Sequence, residues 1–260
     1  MASGSRTILT KPVVDSSILL FDPVNHQFDS SGLCTCIPLA VKDELVNTLR
    51  IKLNKNVAGF VKEYNKKNGF FLGKTKKRTA PYFAIIDSVF EQEGIPVELK
   101  YLAFIESGLK RNVASRSGAA GPWAFMPVAA KEYGLKMSKQ KDERLDYYKS
   151  SAAAAALLTD LYDKYGDWLM VLAAYNCGPG YMQKAIKRSG SRNYWTLQNF
   201  LPYETRQHVK KFIAVHYYFE GHGSLVTMSK EETAGHIKDV EIFISKKQLM
   251  EESDSLSRVL

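Results

Sequence analysis

The first residue whose type and position predict chemistry is Glu106, an acid that follows a run of apolar residues. In Leu102-Ala-Phe-Ile-Glu-Ser-Gly its carboxyl group stands near the end of a predicted helix, where Gly108 lets the chain leave sharply. A carboxyl group against an apolar wall loses hydration, which favours its neutral, proton-donating form. The pattern predicts a general acid, whereas an ordinary helix-end acid would be solvated or paired with Lys110 or Arg111.

Residues typical of a sugar-binding site follow this acid. Ser115 precedes a turn of small residues that ends in Trp123, and the sequence Ala-Ala-Tyr-Asn-Cys-Gly-Pro-Gly places Tyr175 and Asn176 at the end of a predicted buried helix. Aromatic faces pack on pyranose rings, while hydroxyl and amide groups bond the ring substituents. Each residue also has a purely structural explanation, with Tyr175 and Trp123 in the core and Asn176 as a helix cap.

The elements that must position these residues are mainly helical. Apolar residues at three- and four-residue steps predict a long helix from residue 39 that ends at Asn68-Gly69 and Gly73, followed by a basic loop over Lys74 to Arg78. Only Val240 to Ser245 alternates like a strand. The further predicted helices are 80–93, stopped by Gly94, then 97–107, 150–165, a run from its cap Asp167 to Tyr175, and 202–220.

The positive charge of the chain is concentrated in one segment. The 260 residues carry a formal charge of +9, and 45% of them are apolar. Residues 42–78 hold eleven Lys and Arg against three Asp and Glu, a net +8. Such a segment suits an anionic partner, and we expect it to hold the protein against an anionic polymer. Nucleic acid is not expected, because the segment has neither zinc-finger spacing nor an aromatic RNA-binding signature.

Cysteine content, the start of the chain and motif order bear on cofactors, location and domain organisation. The cysteines Cys34, Cys36 and Cys177 suit neither a disulfide framework nor a zinc site, so we expect no metal and no cofactor. The start has no signal-peptide run, so the chain is either cytosolic or a mature form with added leader residues. Composition and motif order predict four parts of the chain. They are an extended arm at 1–38, a basic amphipathic helix and loop at 39–80, a helical domain with the acid at 81–220, and a C-terminal tail at 221–260.

The motifs in their order resemble the lytic transglycosylase SLT-domain family, and within it the membrane-bound lytic murein transglycosylase D group. The resemblance covers about residues 81–220 and implies a lysozyme-like, mainly helical fold around a glycan groove. The motifs that carry it are Glu106-Ser-Gly, Ser115-x-x-Gly-Ala-x-Gly, Phe125-Met-Pro, Tyr133-Gly-Leu, Asp167-Trp-Leu, Ala174-Tyr-Asn-x-Gly-x-Gly and Glu204-Thr-Arg.

The resemblance implies a reaction and a role for each matching residue. Peptidoglycan would be cut between N-acetylmuramic acid and N-acetylglucosamine, with Glu106 as the single acid and then base and a 1,6-anhydro ring as the product. Ser115 would bond the sugar, Met126 would line the groove, Tyr175 would orient the acid, and Asn176 would hold an acetamido or hydroxyl group. Trp123 and His208 complete the expected substrate-binding set.

Two positions depart from the family pattern. Ala124 stands where the family usually has a Gln that reaches the glycan, and His208 stands where a Tyr is common. Losing one polar contact costs about 1 to 3 kcal/mol, which predicts altered glycan binding rather than lost chemistry. His208 alternatively is a half-buried helix histidine without a part in proton transfer.

The sequence leaves two other functions open, a glycan-binding scaffold that kept the fold and a hydrolytic muramidase of the same fold. The expected partners are peptidoglycan strands and proteins of the cell envelope. The expected location is the periplasm or cell envelope, with membrane attachment through an N-terminal anchor of a longer precursor.

Overall fold

The computed structural model describes the backbone of residues 50–257 and the side chains of residues 50–249. This part is mainly helical and has isolated β-bridges but no sheet, which confirms the predicted fold class. The arm predicted at 1–38 lies outside the described residues. The α-helices of the described part are α1 (Lys55–Glu93), α2 (Lys100–Ser107), α3 (Pro127–Glu132), α4 (Tyr147–Tyr165), α5 (Trp168–Ser189), α6 (Tyr194–Leu197), α7 (Tyr203–Glu220) and α8 (Lys230–Ser257).

Side-chain caps and glycines set the ends of several helices. The Asp146 carboxylate accepts from the Lys149 amide at 2.9 Å, and the Asp167 carboxylate accepts from the Met170 amide at 3.0 Å, so α4 and α5 begin where unpaired amides find an acceptor. Gly94 ends α1 in the left-handed conformation, at φ 66°. The predicted stop at Gly94 and the cap at Asp167 are therefore confirmed.

Helix α1 is longer than the sequence predicts. The sequence predicts a break at residues 68–73 and a basic loop over Lys74 to Arg78. Both predictions are wrong, because α1 is 39 residues long and runs through both segments without interruption. The glycines serve close packing instead: the Tyr218 hydroxyl donates to the Gly69 carbonyl at 2.7 Å, and a Cβ on Gly73 would lie 3.0 Å from that hydroxyl. Helix α1 also crosses the predicted boundary at residues 80 and 81, and the division into four parts stays a prediction.

The C-terminal segment is helical rather than extended. The strand predicted at Val240 to Ser245 is wrong, because these residues lie inside α8. Six alternating residues need a partner strand to satisfy their backbone groups, and the described part offers no sheet edge, whereas a helix satisfies them locally. Helix α8 begins against the domain, where the Lys230 amide donates to Asp167 Oδ2 at 2.8 Å.

The core surrounds the first turns of α5, which pack against α4 and α7. Residues Leu169 to Ala174 are buried, with side chains at most 2% exposed. Helix α1 packs along α4 and α7, and the acid-bearing helix α2 contacts both α7 and α1. None of the helices in the described range has an apolar stretch long enough to cross a bilayer.

Candidate active site

The acid Glu106 lies in the last turn of α2, at the surface end of a buried helix. Tyr101 to Phe104 of the same helix are buried, whereas the Glu106 side chain keeps 17% exposure. Gly108 then adopts φ 63° and its amide donates to the Phe104 carbonyl at 2.7 Å. The capped end leaves the carboxyl group in a mostly dry position that a ligand can still reach.

His208 of α7 is the direct partner of Glu106. Its Nε2 lies 2.7 Å from Glu106 Oε1, and its side chain is only 10% exposed. The other ring nitrogen, Nδ1, is buried and has no hydrogen-bond partner. A buried N–H without an acceptor is costlier than a bare lone pair, so of the two neutral tautomers this geometry favours the one that carries its proton on Nε2. His208 then donates to Oε1 and leaves Oε2 for a substrate.

In the structure the Nε2 of His208 is engaged by the acid, and the expectation that His208 binds substrate stays a prediction. The two residues are 102 positions apart, and only the packing of α7 beside α2 brings them together. The sequence signal was the departure itself, a histidine at a position where the resemblance implies a tyrosine.

Tyr175 and Asn176 lie near the end of the buried part of α5, as predicted, but their side chains are engaged by the protein. The Tyr175 hydroxyl donates to the Trp123 carbonyl at 2.5 Å, and the Thr205 hydroxyl donates to Asn176 Oδ1 at 2.8 Å. Burial raises the pKa of Tyr175 well above its usual value, and the charge of Glu106 raises it further. Tyr175 is thus a neutral phenol close to Glu106 that holds the turn at Trp123 in place.

Trp123 does not form a sugar platform. The ring is fully buried, and its Nε1 donates to Ser151 Oγ at 2.9 Å. Its ring packs against Phe90, with centroids 5.5 Å apart. The prediction that Trp123 binds substrate is wrong because burying this large ring in the core, with its N–H satisfied, is more favourable than exposing it.

The turn between Ser115 and Met126 borders the acid. The Ser115 hydroxyl is exposed, lies 2.9 Å from Ser117 Oγ and accepts from the Ala119 amide at 3.0 Å. Met126, at 45% exposure, precedes α3. Ser107, next to the acid, donates to the Pro122 carbonyl at 2.7 Å. This bond ties the turn to α2.

Three residues that hold this site were not singled out in the sequence. Arg144 donates to the Gly118 and Phe125 carbonyls at 2.7 and 3.0 Å and is itself paired with Asp142. Arg78 of α1 donates to the carbonyl of Gly108, two residues after the acid, at 2.7 Å. Ser107 is the third, and its place in the Glu-Ser-Gly motif could have identified it from the sequence. No sequence pattern identifies the two arginines, because their contacts are with residues far away in the chain.

Comparisons with known proteins give the class of this domain. Residues 86–198 match the family described as Transglycosylase SLT domain. This match confirms the resemblance inferred from the ordered motifs. Among curated proteins, it is 36% identical over 154 residues to membrane-bound lytic murein transglycosylase D of Escherichia coli K12, which covers 57% of this chain and 34% of that protein.

Solved structures agree on the fold. The chain is similar to the 70 kDa soluble lytic transglycosylase Slt70 from Escherichia coli, with a TM-score of 0.51 and 22% identity, over 74% of this chain and 34% of that one. A complex of a 70 kDa soluble lytic transglycosylase with bulgecin A gives a TM-score of 0.52 at 21% identity, with the same coverage. The chain thus spans about a third of the length of these proteins, and the lysozyme-like fold is confirmed.

The site as a whole can donate and accept a proton at one carboxyl group. The side chain that bonds Glu106 is an imidazole rather than a second carboxylate. Within residues 50–249, no group of three or more His, Cys, Asp or Glu side chains could hold a metal ion. The donors and acceptors are those of acid–base chemistry.

Proposed function

We propose that this protein is a peptidoglycan lytic transglycosylase that cleaves the β-1,4 bond between N-acetylmuramic acid and N-acetylglucosamine. The observation that carries the proposal is the contact of His208 with Glu106, an acid at the end of α2 within the residues 86–198 that match the SLT domain. The pair holds one carboxyl group in a fixed, mostly buried position that is still exposed enough to meet a glycan. The names of the relatives support the same substrate class.

The proposed first step uses Glu106 as an acid. Its Oε2 proton goes to the glycosidic oxygen while the bond between that oxygen and C1 of the muramic residue breaks. The acetamido oxygen of the same sugar bonds to C1 and balances the charge. As Glu106 becomes negative, the His208 Nε2–H bond to Oε1 strengthens, because a hydrogen bond to a charged acceptor is stronger than one to a neutral acceptor.

The proposed second step uses the same group as a base. Ionised Glu106 takes the proton of the C6 hydroxyl, O6 bonds to C1, and the bond from the acetamido oxygen breaks, so the sugar leaves as its 1,6-anhydro form. Water is neither consumed nor released. Ser115 and Met126 are proposed to contact the glycan beside the turn, and Asn176 is proposed to contribute its amide from the α5 side.

Product analysis tests the reaction. Sacculi digested by the purified chain should release muropeptides with 1,6-anhydro ends, detected by mass spectrometry. Glu106→Gln keeps the shape of the side chain but removes the transferable proton, so we expect turnover to fall by about 10³-fold or more. Reducing ends in place of anhydro ends would instead identify a hydrolytic muramidase.

The scaffold alternative has its own test. If the wild-type chain binds sacculi but releases fragments no faster than Glu106→Gln does, the protein is a non-catalytic glycan-binding protein. The structure favours the enzyme, because the departure at His208 supplies a donor to the acid rather than blocking it.

The proposed location follows from the substrate. A protein that acts on peptidoglycan works in the cell envelope, and for this chain we propose the periplasm. Membrane attachment through an N-terminal anchor and contacts with other envelope proteins remain expectations. Fractionation of cells that produce the full-length protein would test both.

A further inference from the structure

An outward face of α1, which the proposed reaction does not use, combines bare aromatic rings with lysines. Phe70 and Phe71 are 88% and 58% exposed, and within the described range neither takes part in a ring contact. Leu72, next in sequence, is buried at 1% exposure. The helix is thus seated on the domain by its other side, and its surface places these two rings in solvent.

Basic side chains surround the two rings. Lys66, Lys67 and Lys74 are exposed and lie three or four residues from Phe70, which places them on the same side of the helix. Lys77 is also exposed and lies seven residues, about two turns, after Phe70 on that side. Residues 64–86 hold six Lys and Arg and no Asp or Glu. No ion pair in the described part involves these four lysines. We call Lys66, Lys67, Phe70, Phe71, Lys74 and Lys77 the α1 face.

The α1 face is held rigidly in this orientation. The Tyr218 hydroxyl of α7 donates to the Gly69 carbonyl at 2.7 Å, one residue before Phe70. Buried Thr75 and Thr79 continue the seated side of α1 through the same turns. Turning the two phenylalanines inward would remove Leu72 from the core, so the exposed rings are a fixed feature of the fold.

We infer that the α1 face is a docking surface for a bilayer that contains anionic lipids. Phenylalanine rings on an amphipathic helix enter the boundary between headgroups and acyl chains, and flanking lysines pair with anionic headgroups. The rings lie on a convex helix surface and carry no hydrogen-bonding group, so they suit a lipid surface better than a sugar, which needs both a concave site and polar partners. The domain would lie on the membrane by this face and not span it.

Vesicle co-sedimentation of the full chain tests the inference. We expect binding to vesicles of phosphatidylglycerol and phosphatidylethanolamine at about 50 mM NaCl, weaker binding at about 500 mM NaCl, and no binding to vesicles of phosphatidylcholine alone. The triple variant Phe70→Ser, Lys67→Gln, Lys74→Gln should lower the partition coefficient by at least about 30-fold, since each lysine near an anionic surface contributes roughly fivefold.

A matched control comes from another part of the surface. Tyr181→Ser, Lys184→Gln and Lys187→Gln remove one exposed aromatic ring and two exposed lysines from α5, and this variant should bind vesicles as the wild type does. Equal losses in the two triple variants would overturn the inference, because binding would then depend on net charge alone. Thermal unfolding of both variants verifies that they are folded.

Lipid-free sacculi separate the lipid surface from the cell wall. A wild-type chain that binds sacculi but not anionic vesicles, and loses sacculus binding in the α1 triple variant, would overturn the inference and assign the face to peptidoglycan. Phe70→Trp gives a direct readout of insertion: its emission should shift to the blue and be quenched by brominated lipid, relative to the wild-type background. Neither assay requires turnover, so the result is independent of the proposed function.

Discussion

At the scale of single residues, the contact between Glu106 and His208 decides how the acid works. In the tautomer that the buried, unpartnered Nδ1 favours, the imidazole donates one hydrogen bond to Oε1. In the proposed mechanism His208 is therefore a positioning residue that acts through Glu106. The family pattern places a tyrosine here, and both side chains present a single donor.

Substitution of His208 separates positioning from proton transfer. His208→Phe removes the donor, and we expect kcat/KM on sacculi to fall by about 10- to 100-fold, with most of the loss in kcat. His208→Gln keeps an N–H donor near the position of Nε2 and should stay within about tenfold of the wild type, with an unchanged pH profile. If Gln were as poor as Phe and one limb of the pH profile disappeared, His208 would instead be a proton carrier.

At the scale of elements, the turn between Ser115 and Phe125 depends on one glycine. Gly121 has φ 81°, and a Cβ there would lie 1.9 Å from the Arg144 carbonyl oxygen. The Arg144 guanidinium also holds the Gly118 and Phe125 carbonyls, so neither side of this contact can move away freely. The turn and the segment before α4 are thus locked together beside the site.

Gly121→Ala should destabilise the protein strongly. We expect a loss of about 3 kcal/mol or more in the free energy of unfolding, from the steric clash and the strained φ together. Gly134→Ala is the control, because Gly134 has φ 80° but no atom lies within 4 Å of its Cβ position, so only the strain of about 1 kcal/mol remains. Urea denaturation measures the free energy of unfolding of both variants. Equal losses would contradict the prediction, because the Arg144 carbonyl would then be able to move away from the added methyl group.

At the scale of the whole molecule, a buried histidine makes stability depend on pH. His216 of α7 is fully buried, and its Nε2 lies 2.8 Å from Ser224 Oγ. Burial lowers the pKa of His216 to about 4, although the charge of Glu220 opposes the shift, while His222 and Lys100 add to it. The neutral ring is therefore part of the fold, and acid removes its contribution.

The direction of this pH dependence follows from whether the folded or the unfolded chain binds the proton of His216. Between pH 6.5 and about 4 the unfolded chain protonates His216 and the folded chain does not, so stability from this group is complete above pH 6.5 and falls by about 3 kcal/mol as pH approaches 4. Asp167 acts in the opposite direction, because burial raises its pKa to about 6 and the folded state binds the extra proton. The two effects partly cancel in the wild type.

A difference measurement isolates His216. His216→Gln should destabilise the protein at pH 7.5, and this penalty should shrink by about 2 kcal/mol at pH 5, because only the wild type loses stability through that histidine. Asp167 is present in both proteins and cancels in the difference. Chemical denaturation at the two pH values gives the result, and a penalty independent of pH would contradict the burial argument.

Local patterns determined much of this protein. The helix periods, the cap at Asp167 and the stop at Gly94 are set by neighbours within a few residues, so the sequence alone predicts them. The acid at the end of an apolar helix and the order of the motifs also predicted the family and Glu106. The contacts of the side chains around Glu106 could not be predicted from such local patterns.

Only the tertiary structure decided which side chains meet. Trp123 is core and not a platform, α1 continues through its glycines because Tyr218 packs there, and residues 240–245 are helical because no strand in the described part could pair with them. His208 meets Glu106 across 102 residues. These outcomes depend on burial and on contacts between distant segments, which compete with local preference and leave no short-range mark in the sequence.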